Sequence, residues 1–244
     1  APEQALELLV YHSRRKDLKD DADARALCDT LGNHAFALEI AGKTIKVYNF
    51  APKELIERIE NTPHDLNMPA GFGELNRKGI KSLLDVSIDA LDKTLHDTFL
   101  MLGGLFEPNA TPELVSLVIQ SDPEGAADQL GKLELRGLVN GAAHKHIQYY
   151  KLHGLAYSYA RTMFMDKGLS NIPFVEACRQ YVDKHFEDLD ELDVEQGNII
   201  EAAEAAYFSN KEEALIDMLF ALAVRGPYFA ARGFTATAIR LMRE

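Results

Sequence analysis

Residues 111–152 read TPELVSLVIQSDPEGAADQLGKLELRGLVNGAAHKHIQYYKL. Thr111-Pro112-Glu113 is a helix start. Threonine can cap, proline fills a first position whose N–H lacks an intrahelical partner anyway, and an acid sits in the electropositive first turn. Asp122-Pro123-Glu124 repeats the signal before a second helix, 126–135, which Gly137 stops. Leu138-Val139-Asn140-Gly141 and the run from Ile147 to Leu152 then read as two short strands around a turn containing Asn-Gly.

The flanks extend this pattern. Upstream, Ile80, Leu83, Leu84, Ser87, Ile88 and Leu91 recur at helical spacing, and a further apolar helix from Thr94 to Leu105 ends at Gly103-Gly104 and Pro108. Downstream, a helix from Leu155 to Met165 follows the second strand. Helices, a hairpin and a closing helix are the order of a winged helix-turn-helix, predicted here for residues 80–170. Residues 1–65 are predicted to form a small all-helical domain. Leu6, Leu9 and Val10 share the face of its first helix, Asp21 to Asp23 can cap the second, and Gly32-Asn33 breaks it. The third helix carries Phe36, Leu38, Ile40 and Ala41, and Pro52 opens the fourth. Residues 66–79, rich in proline and glycine, read as a linker. Residues 171–244 are helical again, with an acidic stretch from Glu187 to Glu195. Ala203, Ala206, Ala214, Ala221, Ala223, Ala230 and Ala231 are small residues at which helices could pack closely, as at the start of a helical-repeat array. The expected fold class is mainly α, with one small β-hairpin. The array is expected to continue past Glu244, and Ala1, which is not a methionine, is read as a boundary.

The formal net charge is −12, with 26 Lys and Arg against 38 Asp and Glu. A chain that grips phosphates along DNA normally presents a basic face, so nucleic acid is an unlikely partner, although a local basic patch can hide in an acidic chain. No apolar run reaches the ~18 residues of a membrane span, and the N-terminus lacks the basic and apolar regions of a signal peptide. Cys28 and Cys178 are too few for a disulfide framework, which makes a reducing cytoplasm the expected compartment.

Three stretches carry a family resemblance. LGNHAFALEIAG, Leu31 to Gly42, is similar to the LGGLPLALEIAG segment that ends the nucleotide-binding region of STAND (NB-ARC-type) ATPases. LHGLAYSYAR, Leu152 to Arg161, resembles the MHD-type segment of the winged helix that follows in those proteins. The region from Asn198 to Glu244 resembles the opening of their helical repeats. The resemblance implies the C-terminal part of such a switch: a helical domain packing over adenine, a winged helix closing as a lid, and repeats that sense a ligand or protein partner. It implies an upstream nucleotide-binding domain as the chain's own partner, with ADP or ATP bound in the longer protein and no cofactor in this part. By position, His153 would contact the β-phosphate of ADP, and Asn33, His34, Ala35, Phe36 and Leu38 would form part of the adenine-side wall. Ala35 stands where the family has proline, and Gly154 where it has aspartate.

Other chemistry is weakly represented. No GxxxxGK[ST] phosphate loop occurs. Lys78-Gly79-Ile80-Lys81-Ser82 comes near, but its glycine and lysine are misordered and no strand precedes it. The chain is therefore expected not to be an enzyme by itself. His144 and His146 could share a strand face as zinc ligands, though no cysteine accompanies them, and a solvated hairpin explains them. Asp188, Asp190, Glu191, Asp193 and Glu195 lack the glycine and ligand spacing of a calcium loop and read as a solvated face or an acidic helix start. Tyr149, Tyr150, Tyr157 and Tyr159 could stack on bases, but their spacing fits core plus surface. No Ser-His-Asp or Cys-His arrangement emerges. The leading expectation is a regulatory part of a nucleotide-dependent signalling switch. The alternatives are a winged-helix transcription regulator that places residues 126–136 in the major groove, and a helical protein-binding scaffold. Asp128, Lys132, Glu134 and Arg136 balance to zero on that helix, which counts against the DNA reading.

Overall fold

The computed structural model describes residues 2–61 and 77–233. Its elements in chain order are α1 (Pro2–Ser13), α2 (Ala22–Thr30), α3 (Ala35–Tyr48), α4 (Pro52–Asn61), α5 (Arg77–Asp89), α6 (Lys93–Leu102), β1 (Asn109–Ala110), α7 (Pro112–Ile119), α8 (Pro123–Leu135), β2 (Val139–His144), β3 (Ile147–Leu152), α9 (Gly154–Asp166), α10 (Ile172–His185), α11 (Leu189–Val194), α12 (Gln196–Phe208), α13 (Glu212–Phe220) and α14 (Tyr228–Arg232). The chain is mainly helical, with one small three-stranded sheet among the described residues. Most of the linker reading, and everything expected beyond Gly233, lies outside the described residues. Helix α5 begins at Arg77, inside the stretch read as linker.

Two compact units emerge from the internal contacts. The first takes residues up to Phe99 together with Gly131–Val139, and the second takes Leu100–Leu130 and the residues from Asn140 onward.

The first unit is built around α1 and α3. Gly42 permits their close approach: a Cβ there would lie 2.7 Å from the His12 Cβ and 3.0 Å from the Leu9 carbonyl oxygen. Leu9, Leu27, Leu31, Leu38, Ile40 and Ile45 are fully buried between the helices. The break after α2 uses left-handed backbone at Gly32 (φ 61) and Asn33 (φ 55), and the Asn33 N–H donates to the Cys28 carbonyl at 2.8 Å. Asp21 caps α2 by accepting from the Asp23 and Ala24 amides. A 3₁₀ turn at Lys16–Asp20, not foreseen from the pattern, buries Leu18. Helix α5 departs from its expected single stripe, because residues 80–88 are all buried. Among the polar ones, Lys81 Nζ donates to Asp85 Oδ2 at 3.1 Å and the hydroxyls of Thr44 and Ser87 lie 3.2 Å apart, whereas the buried Ser82 hydroxyl has no hydrogen-bond partner among the described residues.

The second unit holds the sheet apart from Val139, in the order β1-β3-β2. Antiparallel β1 and β3 pair Asn109 with Lys151 and Ala110 with Tyr150. The helix starts at Thr111 and Asp122 behave as the sequence dictates. Thr111 Oγ1 accepts from the Leu114 amide, and Asp122 Oδ1 accepts from the Gly125 amide. The hairpin turn does not sit where Asn-Gly placed it. Asn140 and Gly141 lie within β2, and the chain reverses at Lys145-His146, with Lys145 at φ 53. Register decides this. Tyr150 and Leu152 share one face of β3 and are both buried, and that fixes the register over a local turn preference. Gly103 and Gly104 end α6 for a packing reason as well, since a Cβ at Gly103 would meet the Ala160 carbonyl at 2.2 Å and one at Gly104 the Phe174 ring at 2.3 Å.

Helices α10 to α14 pack through large side chains more than through the alanines. Phe174, Tyr181, Met218, Leu222 and Tyr228 are buried, as are Ala203, Ala206 and Ala221. Ala223, Ala230 and Ala231 are exposed, so the small-residue reading fails for them. A π-helical turn at Ala221–Arg225 follows α13.

Candidate functional site

The residues named by the resemblance fall into two groups, 33–38 in the first unit and His153 in the second. His34 occupies the N-cap of α3 without a side-chain capping bond, at φ −79 and ψ 121. Ala35 is the first helical residue and is exposed, as are Asn33 and His34. Phe36 and Leu38 point into the core, with 5% and 0% exposure. Only 33–35 therefore present side chains that an incoming group could touch. Asn33 borders a cleft of about 900 Å³ that is also lined by Leu6, Tyr11 and Cys28. Burial pushes the Cys28 thiol up to about 11, and Cys178 well above its ordinary value, so both thiols stay protonated and unreactive.

The geometry at Ala35 would accept a proline. The first helical position tolerates proline, and the extended backbone of His34 suits a residue that precedes one. Ala35→Pro is expected to raise stability by about 0.5 kcal/mol through the unfolded chain. A lowered denaturation midpoint would show that the Ala35 amide has a partner after all.

His153 is the N-cap of α9. Its Nδ1 accepts from the Leu155 amide at 3.2 Å, which requires an unprotonated Nδ1 and places the ring proton on Nε2. An exposed ring that carries a donor and stands at the first turn of a thirteen-residue helix is suited to meeting an anion. Gly154 follows it, and a Cβ there would meet nothing within 4 Å, so packing does not demand glycine.

The remaining motifs resolve into structure. Tyr150 and Tyr159 are buried, and the Tyr157 hydroxyl donates to the Leu105 carbonyl at 2.6 Å, so the tyrosines do not form a stacking platform. Lys81 of the near-miss phosphate loop lies inside a helix, paired with Asp85. His144 has ligand atoms within 4.8 Å of those of Asp190 and Asp193 rather than entering a pair with His146. Both aspartates already hold cations: Lys145 lies 2.5 Å from Asp190 and Arg232 lies 2.6 Å from Asp193.

The acidic stretch is not a solvated face throughout. Asp188 caps α11 as an acidic helix start, but Glu195 has 0% exposure. One Glu195 oxygen accepts from the Thr111 amide and the other from Asn198 Nδ2 at 2.8 Å. Asn198 Oδ1 accepts from the Phe106 and Glu107 amides at 3.1 and 2.9 Å, and its Nδ2 also donates to the Asn109 carbonyl at 2.7 Å. Asn109 Nδ2 returns a bond to the Val194 carbonyl at 3.2 Å. This polar clasp fastens the segment before α7 to the α11–α12 junction. Desolvation outweighs the hydrogen bonds it receives and pushes the Glu195 carboxyl up to about 7. Nothing local in the sequence marks the clasp, because its halves lie more than 80 residues apart.

No protein-family model and no curated protein matches the sequence.

Proposed function

We propose that the chain is a regulatory, non-catalytic part of a nucleotide-dependent switch, in which residues 80–170 act as a winged-helix lid and the helices after Ile172 as the start of a sensing repeat array. The observation that carries this reading is the place of His153. It caps the first turn of α9 directly after β3, where ring and backbone donors can meet a phosphate. The element order from α5 to α9, with four helices ahead of a two-residue hairpin turn and one after it, supports the winged-helix part. In this reading an upstream domain supplies the phosphate loop and holds ADP or ATP, residues 33–35 border the adenine side, and His153 tightens the closed state.

The test compares ADP binding by this chain and by the natural protein extended upstream of Ala1. The extended protein is expected to retain ADP. His153→Ala in it is expected to speed ADP release by about tenfold, the worth of one hydrogen bond to a charged group. Unchanged release would remove His153 from the lid, and failure of the extended protein to hold ADP would remove the switch.

A second reading, a protein-binding scaffold, rests on a different observation. Ile216, Phe220 and Val224 follow one another at four-residue spacing with 62%, 51% and 65% exposure, an apolar stripe of the kind that partner helices cover. The DNA reading gains less, because Arg136, a cation of the would-be recognition helix, is engaged with the Tyr48 hydroxyl and the Lys132 carbonyl.

A further inference from the structure

The charged lining of one cleft in the first unit is mainly cationic, in a strongly acidic chain. The close α1–α3 contact at Gly42 brings the end of α1 beside the middle of α3. The chain leaves α1 through Arg14 in left-handed backbone (φ 55). Arg14 and Lys16 from this turn, Lys43 and Lys46 from α3, and Glu134 and Leu135 from the end of α8 line one cleft of about 700 Å³. That volume falls in the range of small-molecule sites.

The cations are not equivalent. Lys43 is held by Glu39 at 2.8 Å and by the Glu134 carbonyl at 3.2 Å. Arg14, Lys16 and Lys46 are exposed and make no ion pair or hydrogen bond among the described residues. Nearby Arg15 is already matched by Asp17 at 2.6 Å. Three uncompensated cations facing one carboxylate in a concave site create a positive potential, although the whole chain carries −12. At the rim, Tyr11 and Leu135 keep 75% and 58% exposure and offer apolar surface to whatever carries the negative charge.

We infer that this cleft binds a small molecule carrying at least two phosphoryl groups. One carboxylate would leave most of the positive charge unmet. Two phosphoryl groups bring several negative charges and enough oxygens to be shared among Arg14, Lys16 and Lys46. A nucleic-acid strand fits less well, because the acidic remainder of the chain opposes a long polyanion. The cleft is separate from the lid reading, since none of its residues is among those assigned to ADP through His153.

The test is calorimetric titration of the 244-residue chain with inorganic pyrophosphate, with ADP and a sugar bisphosphate as further probes and sulfate as a single-anion control. Pyrophosphate is expected to bind with one site and at least ~tenfold more tightly than sulfate. Arg14→Glu and Lys46→Glu are each expected to weaken it by ~tenfold or more. Lys53→Glu, an equal charge change at an exposed position outside the cleft, is expected to shift it by less than about twofold. The lid reading is read out separately, by ADP release from the extended protein, which keeps failure of the lid distinct from failure of the cleft. Tighter binding of ADP or of the bisphosphate identifies the carrier of the phosphoryl groups. Circular dichroism of each variant checks folding, and Arg14→Gln and Lys46→Gln serve where a charge reversal does not fold. Absence of pyrophosphate binding, equal loss in Lys53→Glu, equal affinity for sulfate, or much tighter binding of a single-stranded oligonucleotide would each overturn the inference.

Discussion

Asn198→Ala is expected to destabilise the chain by about 3–4 kcal/mol, since buried or half-buried partners each lose a bond worth about 1 kcal/mol or more. Four groups depend on this one side chain: the amides of Phe106 and Glu107, the Asn109 carbonyl and the Glu195 carboxyl. All belong to the second unit, so its unfolding is the transition to follow. Denaturant midpoints with unchanged slopes give the comparison. Asn198→Asp is the informative control. Its carboxylate can still accept from the two amides, but it loses both donated bonds and sets a second charge against Glu195. A loss below about 1 kcal/mol for Asn198→Ala would mean that neighbouring groups satisfy one another without the clasp.

The same clasp gives the chain a pH dependence of definite sign. Glu195 has its ordinary carboxyl pKa of 4.5 in the unfolded chain and about 7 in the folded one. Between those values the folded chain binds more protons than the unfolded chain, so stability falls as pH rises from about 4.5 to about 7 and is level above. The full difference is about 3 kcal/mol. The groups around Glu195 are consistent with this. The Thr111 amide and Asn198 favour the carboxylate, Glu191 opposes it, and complete burial weighs most. Glu113, Glu176, Asp190 and Asp193 have lowered values, so what they contribute is lost at still lower pH. The pH-dependent difference between wild type and Glu195→Gln isolates the buried group. A flat difference between pH 4.5 and 7 would show that Glu195 keeps an ordinary affinity for its proton.

What was legible in the sequence was local. The starts at Thr111-Pro112 and Asp122-Pro123 and the break at Gly32-Asn33 are consequences of a few adjacent residues, and the structure realises each of them. The Asn-Gly turn was local too and failed, because burial of Tyr150 and Leu152 on one face of β3 outweighs a turn preference. The site was legible only in part. The strand–helix junction at His153 followed from order, but its role as a cap depends on a ring nitrogen reaching the Leu155 amide. The basic cleft and the Glu195 clasp were not legible. Their residues are brought together by packing at Gly42 and by contacts spanning 84 to 92 residues, which composition and periodicity do not encode.

Lys81→Met is expected to cost about 3–5 kcal/mol, and the reason separates two readings of the same residue. Lys81 belongs to the stretch that approaches a phosphate loop in composition, where a lysine would serve a ligand. In the structure Lys81 and Asp85 sit one turn apart on α5, with side-chain exposures of 6% and 11% and an N–O distance of 3.1 Å. Removing the lysine takes from a buried carboxylate an ammonium 3.1 Å away, which is far more costly than removing an exposed one. Replacing both residues removes the charge and the need for it together. Lys81→Met with Asp85→Leu is therefore expected to return to within about 1 kcal/mol of wild type, because a well-packed apolar pair can match a buried ion pair. The double-mutant cycle then yields a large coupling between the two positions. A structural lysine gives this pattern in the absence of any nucleotide. A ligand-binding lysine instead leaves the midpoint near wild type in Lys81→Met, and the double variant is no more stable than the single one.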